Sequence, residues 1–161
     1  MVERAKLTGL RTVAWYIDGF AVAAIVMLIL WILELIGLDI NWSTNAAVPV
    51  LGFTIGMFLY RLVVEHKWAS SLGKYSLRLE VIHARPSLGR VALRNSYLLL
   101  GGLSAINIDA LAYAGEIVLI IVGLSTLLQG RSLFDSFAGA FVEPVLLNGQ
   151  RQNPWRKVPK S

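Results

Sequence analysis

The chain has 161 residues, room for one domain, and its residues are 56% hydrophobic and only 16% charged, with a mean hydropathy of +0.63. A soluble domain of this size could not cover so much apolar surface, so lipid is the expected solvent and no soluble catalytic domain fits beside the spans. The net charge of +5 comes from basic residues that flank apolar segments, without a basic stripe interleaved with aromatics. That pattern points away from nucleic acid and toward anionic lipid headgroups.

Taken in order, the first apolar span runs from about Ala14 to Ile36, behind Arg4, Lys6 and Arg11. At ~1.5 Å per residue it exceeds the ~30 Å hydrocarbon core, and Leu33 to Ile36 do not resemble a signal-peptide cleavage site, so an uncleaved helix is expected. The polar loop Gly37 to Ala47 carries Asp39, Asn41 and Trp42. A second span, about Val48 to Val64, holds Gly52 and Gly56 one turn apart, a packing face before it is a dimerisation motif. From Glu65 to Arg90 the chain is basic and amphiphilic, and Tyr75, Leu77, Leu79 and Val81 alternate with more polar neighbours, as in a strand or an interfacial segment. Pro86 limits any continuous helix there. Val91 to Ile106 reads as a short third span, Asn107 to Asp109 interrupts it, and Ala110 to Leu128 reads as a full fourth. Residues 148–161 form a basic, proline-containing tail for which flexibility is the expectation, with Trp155, Arg156 and Lys157 suited to a headgroup layer or a partner's surface. The domain thus covers residues 1–147.

All fifteen lysines and arginines lie outside Glu34 to Ala47 and Asn107 to Glu116, which carry Glu34, Asp39, Asp109 and Glu116 instead. Basic residues mark the cytoplasmic side, so the map orients the chain with both termini inside. Three crossings would put the basic tail outside. Four return it, and an all-helical membrane protein of four spans, with three as the alternative, is the expectation.

Three patterns occur in order: Arg11 to Asp18 around Ala14 and Ile17; Ser71, Leu72, Gly73 and Lys74 leading to Leu79, Glu80 and Val81; and Arg131 to Asp135 followed by Ala138 and Gly139. Together the set resembles the RDD family of bacterial membrane proteins over about Arg11 to Val142, with the namesake arginine and aspartates falling on Arg11, Asp18 and Asp135. The chain differs from that pattern at Ser136, where a basic residue is usual, and at Ala140, where Thr is common. The resemblance implies a multi-span protein of the bacterial inner membrane. Members are often described as transporters, with cation/proton antiport reported for some, and no one established activity is implied.

Arg11 and Asp18 are seven apart, on one helical face and about 10 Å apart along the axis. A carboxylate in a membrane helix centre costs about 2.5–3.5 kcal/mol, so Asp18 requires a counter-charge, for which Arg61, Arg94 and Arg131 are candidates, and Asp135 is placed to join. Such a cluster either clamps helix ends or lines an ion path. Glu116, about six residues inside the outer end of the fourth span, has no basic neighbour there; it is protonated, water-exposed or met by another subunit. Gly73 and Lys74 lack the spacing of a phosphate-binding loop, His66 and His83 lack metal-ligand spacing, and with no cysteine a thiolate metal site is excluded. Neither a cofactor nor an enzymatic constellation is expected. Two functions remain: an accessory or assembly subunit of a larger membrane complex, for example a respiratory one, or an oligomeric transporter. The scarcity of midplane polar residues favours the first.

Overall fold

The computed structural model describes residues 2–38, 45–83, 87–105, 111 and 113–144. The tail with Trp155, Arg156 and Lys157 lies outside the described residues, as do Asp39 to Thr44 and Asn107 to Asp109.

Two helices are long and apolar enough to cross a bilayer, α1 (Val2–Leu35) and α2 (Ala47–Trp68). At 34 and 22 residues they span roughly 51 and 33 Å at 1.5 Å per residue. Both run past the boundaries expected from hydropathy. Arg4, Lys6 and Arg11 belong to α1 itself, and α2 continues through Glu65 to an end at Ala69, whose φ of 53° is left-handed and whose N–H returns to the Glu65 carbonyl. The side chain of Asn45 accepts from the Ala47 N–H at the start of α2, and Pro49 sits in its first turn, where a missing N–H leaves no bond unmade. Only 22% and 17% of the spanning windows of α1 and α2 are buried, and Phe20 and Trp31 are among the large exposed apolar side chains. Those faces require lipid or another protein chain.

After α2 the chain forms a short α3 (Leu72–Ser76) and a strand β1 (Leu79–His83). The alternation expected from Tyr75 onward therefore becomes a strand only at Leu79, because Ser71 caps a helix by accepting from the Lys74 N–H. β1 pairs antiparallel with β2 (Ala140–Pro144), Val81 opposite Val142, so a two-stranded ribbon joins a predominantly helical membrane fold. Leu79, Val81, Ala138, Ala140 and Val142 pack on Ala14 of α1 as one core.

Over the stretch expected as the third span the helix is broken into α4 (Leu88–Asn95), α5 (Tyr97–Leu100) and a 3-10 turn over Gly101–Ala105. The Asn95 amide and Ser96 hydroxyl donate to the carbonyls of Val91 and Leu93, drawing them from the helical ladder at the break. The last long element, α6 (Ala114–Gln129), has 16 residues, roughly 24 Å, and begins four residues later than expected. A six-residue α7 (Leu133–Ala138) follows.

The α1–α2 seam uses Gly52 and Gly56. A Cβ on Gly52 would lie 3.0 Å from Val26, and one on Gly56 would lie 3.3 Å from Val22 and Val26. The small face is thus filled by α1 of the same chain. Val22, Met57 and Leu98 form a second core there, with Trp15, Phe53 and Tyr97 packed on it.

Candidate functional site

The side chains that sequence spacing singles out converge where the start of α1, the end of α2, α3, α4 and α7 meet. Asp18, fully buried on α1, is saturated. Its Oδ2 accepts from Arg61 Nη2 at 2.9 Å and Ser71 Oγ at 2.6 Å, and its Oδ1 accepts from the Gly73 N–H at 2.8 Å and the Tyr60 hydroxyl at 3.1 Å. Of the three candidate counter-charges, Arg61 is the one in place, and its Nη1 also donates to the Tyr97 hydroxyl. The Gly73 contact demands a glycine, since a Cβ there would come within 2.0 Å of the Ala14 carbonyl oxygen. Ser71 and Gly73 therefore cradle a carboxylate of their own chain.

A second chain of charges starts from Glu65, which sequence reading leaves in the loop. Glu65 accepts from Lys74, from Arg94 Nη1 at 2.9 Å and from the Asn95 amide at 3.0 Å. Arg94 turns its Nε to Asp135 Oδ1 at 2.5 Å, and Asp135 Oδ2 pairs with Arg11 Nη2 at 2.5 Å. Asp135 is also the third residue of a capping box, accepting from the Ser132 N–H while its own N–H donates to Ser132 Oγ. Arg11 is thus tied to Asp135, and not to Asp18 on its own helix. The expected fifth member, Arg131, is placed elsewhere, with its guanidinium 4.8 Å over the Phe141 ring.

Burial sets the protonation balance in the connecting segments. The Lys74 amine is pushed down to about 7, by burial first and then by the Arg94 charge, with Glu65 pulling the other way. For Asp135 burial acts upward, but Arg94 and Arg11 outweigh it and hold the carboxyl well below the usual range.

The sequence model of the RDD family matches residues 6–139, a stretch that contains every charged residue of this network. The chain belongs to the RDD family. No curated protein and no solved structure matches it. RDD membership and the apolar helices together make this a membrane protein. The RDD arginine and second aspartate, Arg11 and Asp135, are partners, while the first aspartate, Asp18, forms a separate pair with Arg61. Residues outside the namesake letters, Arg61, Glu65, Lys74, Arg94 and Asn95, complete the RDD network. Helical spacing carried a signal for one of them, because Arg61 and Glu65 are four apart on one face of α2.

Two cavities flank this layer. One of about 190 Å³ lies against the network between α1 and α6. The other, of about 410 Å³, lies toward the far ends of α1, α2 and α6 and is mostly apolar, with Phe53, Met57 and Val26 on its wall. Trp15, Tyr97 and Leu119 line both and stand between them. Glu116 lines the larger one. It is exposed and sits in the first turn of α6, not six residues inside the helix. Among the described residues no group of His, Asp and Glu could hold a metal ion.

Proposed function

We propose that the protein is a non-enzymatic, multi-pass subunit of the bacterial plasma membrane that assembles with a larger membrane complex, for example a respiratory one, with both termini cytoplasmic. The supporting observation is the saturation of the network. Asp18, Glu65 and Asp135 each accept from three or more donors, so none of the oxygens of these three carboxylates is without a partner. Buried pairs of this kind specify geometry, and here they lock helix ends together. The sparse burial of α1 and α2 supports the same reading, because faces such as those bearing Phe20, Ile25 and Trp31 need a covering surface. The one-sided charge map supports the orientation.

A second reading, an oligomeric transporter such as a cation/proton antiporter, draws on a separate observation: the two cavities in line with Trp15 and Tyr97 between them. Purification in a mild detergent followed by mass spectrometry separates the two. Stoichiometric membrane-protein partners are expected, and a homo-oligomer alone would sink the subunit reading. Cation-driven proton movement in vesicles that disappears in folded Asp18→Asn or Glu116→Gln protein would establish the transporter instead.

A further inference from the structure

The smaller cavity has the wrong charge to be empty space beside a balanced network. Four cationic side chains reach its wall, Arg11, Arg61, Lys74 and Arg94, against one carboxylate, Asp135, since Asp18 and Glu65 do not line it. The salt bridges repeat the imbalance: Lys74, Arg94 and Arg11 share the two carboxylates Glu65 and Asp135, while Arg61 and Asp18 form a pair of their own.

Hydrogen bonding points the same way. Three buried donors on residues of this wall have no partner within the protein: Arg11 Nη1, Arg61 Nε and Trp15 Nε1. Arg61 is only 4% exposed, so bulk solvent does not reach it. Buried donors are rarely left unpaired, and with less than 1 Å² of accessible surface each, these three would have to turn toward the cavity to meet an acceptor there. Each oxygen of the three carboxylates already has a donor, so we look for the missing partner outside the chain. The cavity, at about 190 Å³, offers roughly tenfold the room that one water needs.

We propose that this cavity binds a phosphate oxyanion, carried by a phospholipid headgroup or free in solution. Arginine guanidinium forks match phosphate oxygens, and with Lys74 protonated a single negative charge brings the network to neutrality. The site stands independently of whether the protein acts as a subunit or a transporter, because it depends only on the cavity and its donors.

The test uses the full chain in a neutral detergent, its melting temperature followed by circular dichroism. Low-millimolar inorganic phosphate is titrated with ionic strength fixed by chloride, and in a second arm short-chain phosphatidylglycerol is compared with phosphatidylcholine. Saturable stabilisation by inorganic phosphate supports the site with a free oxyanion. Stabilisation by phosphatidylglycerol alone supports it with a headgroup. In either arm Trp15→Phe, which removes one orphan donor and keeps a ring, should weaken binding about tenfold, as loss of one hydrogen bond to a charged group would. Arg11→Lys keeps the charge facing Asp135 while removing the spare guanidinium nitrogen, and it serves if Trp15→Phe does not fold. No saturable shift in the native protein in either arm, or an unchanged midpoint in a folded variant, overturns the proposal and leaves the cavity to water.

Discussion

Gly73 and Lys74, adjacent in α3, are constrained in opposite ways. Gly73 is held by contact: its N–H reaches Asp18, and an added Cβ would meet backbone of α1 that cannot rotate away. Gly73→Ala is expected to cost roughly 1–3 kcal/mol or more in thermal melts, whereas Gly9→Ala, with nothing within 4 Å of its built Cβ, should be neutral or slightly stabilising. Equal effects would disprove the close approach. Lys74 is constrained by charge. Its amine, lowered to about 7 in the fold from 10.5, releases a proton that the unfolded chain still binds between those values. Its contribution therefore makes stability rise with pH from about 7 toward 10. Native protein should gain on Lys74→Met over that window, and parallel profiles would place the amine at its ordinary value. Much of this site was legible in the residues: the cost of a membrane carboxylate demanded a cation for Asp18. Spacing left Arg61, Arg94 and Arg131 equivalent, because which cation arrives depends on how α2, α4 and α7 pack. Glu65 stayed hidden because the span drawn by hydropathy ends at Val64, where the polar run of Glu65, His66 and Lys67 begins, while the helix continues to Trp68.

At the scale of elements, the same distinction separates what hydropathy could see from what it could not. The apolar lengths of α1 and α2 follow from composition alone, and Gly52 and Gly56 announce a close face whose occupant turns out to be Val22 and Val26 of α1. Gly56→Leu should therefore lower the melting temperature, at roughly 1–3 kcal/mol for overpacking, without changing the oligomeric mass. A mass change at unaltered stability would move that face to a subunit interface. The third segment broke where no hydropathy window registers it, at two short polar side chains that take carbonyls from the helix. Strand β2 was missed for a different reason: its five residues become a strand by pairing with β1, more than fifty positions away, and non-local pairing leaves little local trace.

For the whole molecule, the network is the device by which sparsely packed helices become one body. Arg11 of α1 and Glu65 of α2 share no bond, yet they are joined through Asp135 of α7 and Arg94 of α4. Removing one member of a buried pair commonly costs about 3–5 kcal/mol, chiefly because its partner is left buried and uncompensated. Acid should reveal the same dependence. Asp135 has a depressed folded pKa, so its stabilisation is complete above the ordinary carboxylate range near pH 4 and is lost progressively as pH falls below it. The sharper measurement is a double-mutant cycle on Arg11→Met and Glu65→Gln. If the salt bridges act as separate pins, two changes without a shared contact should add to within about 0.5 kcal/mol. If charge and geometry pass through Asp135 and Arg94, the first change already loosens the arginine that Glu65 needs, and the second costs less. A coupling energy of about 0.5–3 kcal/mol is expected, and additivity would reduce the network to independent pairs.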